Sequence, residues 1–156
     1  MPTLVIGQAT VDNYNTITDD RLINPEDSNW LSYRGTLDGW GYSALDEINE
    51  RNVDELEPVW SFSTGVLGGH ESPPIVNDGV MFITTPGNLL YAIEAASGDL
   101  LWRYQHNLPE TYIAFHRTNR GVALYGDKVY MATLDARVVA LDAATGEKLW
   151  DKAVQD

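Results

Sequence analysis

One stretch of this chain occurs twice. Residues 91–102, YAIEAASGDLLW, align without a gap on residues 139–150, VALDAATGEKLW, at an offset of 48. Ala92/Ala140, Ala95/Ala143, Ala96/Ala144, Gly98/Gly146, Leu101/Leu149 and Trp102/Trp150 are identical, and Ile93/Leu141, Glu94/Asp142 and Ser97/Thr145 keep their chemistry. The match continues upstream, where VMFITTPGNLL lies over KVYMATLDARV. A repeat of this length restricts the fold to an array of like units, each of which buries a face against its neighbour.

Within each copy, short apolar runs alternate with turn residues. The first predicts strands at 74–76, 80–84, 89–93 and 100–104, broken by Asn77-Asp78-Gly79, Pro86-Gly87-Asn88 and Ser97-Gly98. The second predicts 122–124, 128–133, 137–141 and 148–150, broken by Tyr125-Gly126-Asp127, Asp135-Ala136 and Thr145-Gly146. Such residues supply the positive or preset φ that tight antiparallel turns need. Four strands per unit, at a period of roughly 40–50 residues, is the arithmetic of a β-propeller blade. The expected class is all-β, with about two four-stranded antiparallel blades. Trp102 and Trp150 end their units at equivalent places. An indole buries about 150–250 Å², worth at most about 4–6 kcal/mol, which suits a plug between neighbouring blades.

The first third differs. TDDRLINPEDSNWLSYRG suggests a capped helical turn, and NERNVDEL a second short helix with Asn49 or Asn52 as its N-cap. PVWSFSTG, residues 58–65, reads as a lone strand that completes a sheet supplied elsewhere. The expected organisation is therefore an irregular, partly helical segment (1–57), that strand (58–65), a first blade (66–108) and a second (109–156). Two blades do not close a ring, so the open faces call for further blades or for self-association.

Charge and composition remove several functions. The net charge of −13, with 12 acids against 3 bases in residues 1–60, repels phosphate backbones and argues against nucleic-acid binding. With no cysteine there is no disulfide framework or thiolate metal site. No apolar run reaches the roughly 18 residues needed to span a bilayer. The opening MPTLVIGQATVDN is like the tail of a secretory signal that has lost its basic front, or simply a frayed terminus, and the residues leave both open. HESPP does not satisfy H-E-x-x-H, and neither G-x-S-x-G nor a phosphate loop occurs, so metal-dependent hydrolysis and acyl transfer lack their residues.

One loop carries a polar residue that a turn does not require, Glu71 in GVLGGHESPP, and a second stretch, HRTNRG, carries Arg120. Taken alone, Glu71 reads as a solvated turn carboxylate and Arg120 as half of a structural ion pair. Read with their flanks, NWLSYRGTLDGWGYSALDEINERNVDELEPVWSFSTG, GVLGGHESPPIVNDGVMFITTP and NRGVALYGDKVYMATLDARVVALDAATGEKLW, they make the chain resemble the N-terminal quarter of the PQQ-dependent (quinoprotein) alcohol dehydrogenases, the methanol/ethanol dehydrogenase family. Ala140–Trp150 is similar to the family's tryptophan-docking motif. The resemblance implies an eight-bladed propeller with pyrroloquinoline quinone (PQQ) on its axis beside a calcium or lanthanide ion. It also implies a periplasmic location and a cytochrome c that accepts electrons. Glu71 matches the family glutamate that hydrogen-bonds PQQ, and Arg120 its cofactor-binding arginine, whose planar donors suit a carboxylate or quinone carbonyl. The family's catalytic aspartate and metal ligands fall in later blades, beyond Asp156, so contact with PQQ is expected in a completed ring rather than in this chain alone.

One departure concerns the stretch before Arg120. Where the family commonly has two adjacent cysteines covering one face of PQQ, this sequence has Ala114 and Phe115, with His116 beside them. Phe115 could cover a planar ligand by stacking, but a buried aromatic is the commoner explanation. A second class of function also fits the repeats: a non-enzymatic propeller scaffold, which would keep the tryptophans but has no reason to turn Glu71 and Arg120 toward one point.

Overall fold

A computed structural model describes residues 6–7, 9–113 and 116–154. It contains two antiparallel sheets and little helix. In chain order the elements are β1 (Ile6–Gly7), α1 (Asp19–Ile23), β2 (Ile75–Asn77), β3 (Val80–Thr85), β4 (Leu89–Glu94), β5 (Leu100–Gln105), β6 (Val122–Tyr125), β7 (Lys128–Ala132), β8 (Arg137–Asp142) and β9 (Lys148–Ala153). Strands β2–β5 and β6–β9 are the two repeat units, each a four-stranded meander. The repeat extends to its irregularity: the β4–β5 register slips between Ala92 and Ile93, and the β8–β9 register between Ala140 and Leu141.

The sheets bury the apolar positions that the pattern singles out. Phe82, Leu90, Ala92, Trp102 and Tyr104 on one side, and Leu124, Val129, Met131, Val139 and Leu141 on the other, belong to one continuous core. At about 25 cal/mol per Å² of apolar surface, this burial is the main favourable term in holding two such small sheets together.

The N-terminal segment straps both units. Ile6–Gly7 pairs with Trp102 and Arg103 as an edge strand, so the first sheet has five strands. This backbone pairing leaves no mark in the side-chain pattern. The chain then crosses the turns at one end of the sheets. Val11 N–H donates to the Ala144 carbonyl, and Ile17 exchanges two backbone bonds with Gly126. Thr18 caps α1 by accepting from Arg21 N–H. Arg21 follows with a fork onto Glu26 (Nε 2.7 Å, Nη2 3.0 Å) and a further bond to Asn77 Oδ1 (2.9 Å). Trp30 closes the strap through a two-bond bridge to Val76 on β2.

One local expectation is corrected in part. NERNVDEL forms only a 3₁₀ turn, Val53–Glu55, with Asn52 at its N-cap position but with no side-chain bond to the turn. The Asn52 side chain is turned back instead, donating to Glu47 O and accepting from Asn49 N–H. Residues 58–65 join no ladder with the described residues, in keeping with a strand that belongs to a sheet supplied elsewhere. Along residues 33–59 nine large apolar side chains are exposed, among them Trp40 (79%), Tyr42 (77%) and Val59 (87%). That is more contiguous apolar exposure than a folded monomer ordinarily presents.

Candidate functional site

Glu71 and Arg120 lie 49 residues apart in sequence, yet each sits just before the first strand of its unit, β2 or β6. The structure brings them together: Arg120 Nε is 3.3 Å from Glu71 Oε2. Both side chains are open to solvent, Arg120 by 83% and Glu71 by 51%. An exposed pair of this kind adds about 0–1 kcal/mol to stability, so folding alone does not account for it. The terminal amino groups of Arg120 donate to no acceptor among the described residues, which leaves both amino groups of the guanidinium fork available.

The backbone beneath the pair is held far more firmly than the pair itself. Buried Thr84, on β3, donates its N–H to Ser72 Oγ (3.0 Å) and accepts Gly121 N–H on its own hydroxyl (3.0 Å). Ser72 follows Glu71 and Gly121 follows Arg120, so one threonine fixes both arms. Asn119, only 4% exposed, accepts a second bond from Gly121 N–H (3.1 Å) and donates to Ala132 O (2.8 Å) and Asn88 Oδ1 (3.2 Å). Asn88 Oδ1 also accepts Leu134 N–H (3.2 Å). Asn88 Oδ1 and Gly121 N–H each serve two partners, so removing one member loosens the rest, while Asn88 Nδ2 is buried with no partner among the described residues.

Behind it, His106 at the end of β5 meets Asp135 in the β7–β8 turn. His106 Nε2 lies 3.0 Å from both carboxylate oxygens, and Thr133 Oγ1 donates to one of them (2.6 Å). Burial pushes the Asp135 carboxyl up, but the bonds from His106 and Thr133 outweigh it and hold it below the usual carboxylate range. The carboxylate is therefore ionised and accepting, which places a proton on His106 Nε2.

Sequence reasoning passed over Asn88, Asn119, His106 and Asp135. The one available signal was polar residues at turn positions where glycine would have served. Ala114 and Phe115 lie outside the described residues. His116 is exposed and borders a cleft of about 320 Å³ between the Val66–Gly69 loop and the Pro86–Gly87 turn. Among the described residues no three His, Asp or Glu side chains converge as metal ligands, and no helix is long and apolar enough to cross a membrane.

The tryptophans separate in a way the repeat did not announce. Trp102 is fully buried, its indole N–H donates to Ala143 O (3.1 Å), and its ring lies against Gly146 in the other unit. Trp60 makes the same contact with the first unit, donating to Ala95 O (3.0 Å) and lying over Gly98. Trp150 instead lies beside Tyr130 and Lys152 of its own sheet, and its indole N–H donates to no acceptor among the described residues. PVWSF is thus a third occurrence of the unit ending, detectable only in the three residues around its tryptophan.

The family model described as "PQQ: Glucose/ethanol/alcohol dehydrogenase, beta-propeller domain" matches residues 30–155. The chain belongs to the PQQ β-propeller family of the quinoprotein alcohol dehydrogenases. Among similar proteins, quinoprotein alcohol dehydrogenase PedH of Pseudomonas putida is 40% identical over 155 residues, covering 96% of this chain and 25% of the relative. The dehydrogenase subunit of alcohol dehydrogenase (quinone) from Gluconacetobacter polyoxogenes is 37% identical over 155 residues, covering 94% and 21%. Of solved structures, quinohemoprotein alcohol dehydrogenase ADHIIG of Pseudomonas putida superposes with a TM-score of 0.84 at 35% identity, covering 93% of this chain and 22% of that one. A europium-containing methanol dehydrogenase does so at 0.81 and 34%, covering 88% and 25%. The chain spans between a fifth and a quarter of the length of these quinoproteins.

Proposed function

We propose that this chain forms one wall of the PQQ site of a periplasmic quinoprotein alcohol dehydrogenase that oxidises a primary alcohol to an aldehyde and passes electrons to a cytochrome. The observation that carries the reading is the convergence of Glu71 and Arg120, from separate units, on one solvent-facing point. A scaffold built from the same repeats gains nothing from that pairing.

The donor set fits the group. PQQ is a planar tricarboxylate quinone, an acceptor-rich ligand, and Arg120 presents unpaired, coplanar donors. Glu71 lies against Arg120 Nε, and the guanidinium is largely open to solvent. When bound, PQQ with its ion supplies a two-electron sink for the alcohol. Arg120 would bind and orient it, and Glu71 would accept from it while keeping Arg120 aligned. The ion is calcium or a lanthanide, the latter as in the europium-containing relative. The catalytic aspartate and the metal ligands would come from further blades of an eight-bladed ring. Those blades would also cover the apolar side chains of residues 33–59, in preference to self-association. Residues 58–65 would be the outer strand of the blade that closes the ring, with Trp60 docking that blade onto this chain's first unit.

Two measurements test this. The chain alone, supplied with PQQ and calcium, should show no dye-linked alcohol oxidation above a protein-free blank. A chimera in which residues 30–154 replace the matching segment of PedH should bind PQQ, followed by quenching of tryptophan fluorescence. Arg120→Gln in that chimera should weaken binding by about 10–100-fold, the worth of a hydrogen bond to a charged group. Unchanged affinity in both Arg120→Gln and Glu71→Gln chimeras that fold would sink the reading.

A further inference from the structure

The loop that delivers Glu71 is firmly held at its two ends and open between them. At one end, Thr64 O accepts the hydroxyl of buried Tyr91 (3.0 Å), whose ring meets Phe62 edge-on. At the other, Ser72 is bonded to Thr84. Between them Leu67 is 97% exposed, and nothing lies within 4 Å of where a Cβ on Gly65 would be. Gly68, at φ +127°, adopts a backbone conformation closed to other residues, and its neighbour Pro86 makes only van der Waals contact.

One side chain spans this open stretch. His70 Nδ1 lies 3.0 Å from Gly68 O, and Nε2 lies 3.0 Å from Thr64 Oγ1, which also accepts Val66 N–H (3.3 Å). A carbonyl only accepts, so Nδ1 carries a proton. In the neutral ring Nε2 then accepts from the Thr64 hydroxyl. The imidazole thus draws Gly68 and Thr64 to one point and closes the loop on itself. In the imidazolium Nε2 would instead donate to the same hydroxyl, so the closure does not depend on the ring's charge. The next residue is Glu71, whose carboxylate is paired, among the described residues, with Arg120.

We propose that His70 is a positioning residue: by closing the Thr64–His70 loop it fixes the direction in which Glu71 leaves the backbone and so holds the carboxylate against Arg120. Its part in cofactor binding rests on the reading of Glu71 and Arg120 given above, whereas the closure itself does not.

The test uses the full chain, ¹⁵N-labelled and without PQQ. Long-range ¹H–¹⁵N spectra should show a proton on His70 Nδ1. His70→Ala should speed amide exchange across Val66–Glu71 by about tenfold or more, and the Arg120 Nε–H signal should move to its unpaired position. The thermal midpoint should stay close to wild type, since the loop buries little. His70→Gln carries a donor and an acceptor on one amide and should restore both the exchange rates and the Arg120 signal. An Nε2-protonated neutral ring, an Arg120 signal unmoved in His70→Ala, or a His70→Gln variant as loose as His70→Ala would each overturn the proposal. If the closure behaves as expected but the PedH chimera takes up no PQQ, the cofactor reading falls and the positioning of Glu71 stands.

Discussion

Trp60, Trp102 and Trp150 end equivalent stretches of sequence, yet the structure assigns them unequal energetic roles. Trp102 is fully buried between the sheets. Taking about 200 Å² for its apolar surface at about 25 cal/mol per Å² gives about 5 kcal/mol of transfer free energy, an upper estimate. Its bond to Ala143 O adds about 1 kcal/mol. Truncation to alanine, as with large aromatics in other cores, should therefore cost about 4–5 kcal/mol, a large part of the roughly 5–15 kcal/mol that holds a domain together. Trp102→Phe keeps a ring in the slot and loses the N–H, so about 2 kcal/mol is expected, which leaves a folded variant to measure. Trp150 faces no second sheet among the described residues, and Trp150→Ala should cost under about 1 kcal/mol. Trp60 is half-buried and should fall between. The same slot can be tested from its other wall. A Cβ on Gly146 would lie 2.6 Å from the Trp102 ring at φ +73°, so Gly146→Ala should destabilise by at least about 2 kcal/mol. Urea unfolding of the variants, read through the midpoint at constant slope, gives these differences. A Trp150→Ala cost equal to that of Trp102→Ala would refute the reasoning, because burial between units would then not be what sets the energy.

Two further outcomes follow from the strap and the network. The Arg21 fork holds the Glu26 carboxyl down at about 2, against an ordinary 4.5. A folded pKa below the unfolded one gives stability that is complete above about pH 4.5 and lost as pH falls toward 2. The side chain is half exposed, so the effect is modest, but the acid limb of the urea midpoint between those values should flatten in Glu26→Gln; an unchanged limb would contradict the fork. Thr84→Val should cost about 1 kcal/mol, because Gly121 N–H keeps its bond to Asn119, whereas Asn119→Ala removes three bonds from a buried site and should cost about 2–3 kcal/mol. Urea unfolding checks the order, and a costlier Thr84→Val would mean that the asparagine does not carry the Arg120 arm.

The sequence by itself determined the units. Alternating apolar positions and turn residues placed all eight strands of the two meanders, because side-chain period and turn chemistry are local properties and the 48-residue offset allowed each copy to check the other. Glu71 was legible as a residue a turn does not need, and Arg120 through the likeness of NRG to the family's motif. Asn88, Asn119, His106 and Asp135 were not, since a polar residue in a turn looks the same whether it meets water or a partner 13 to 46 residues away. The tertiary structure alone decided that Ile6–Gly7 pairs with β5, that Arg21 ties the strap to β2, and that Trp102, not Trp150, is sealed between units. It also decided that the acid and the guanidinium meet. All of these depend on which backbone lies beside which, and that is set by the packing of one unit on the next rather than by any window of neighbouring residues.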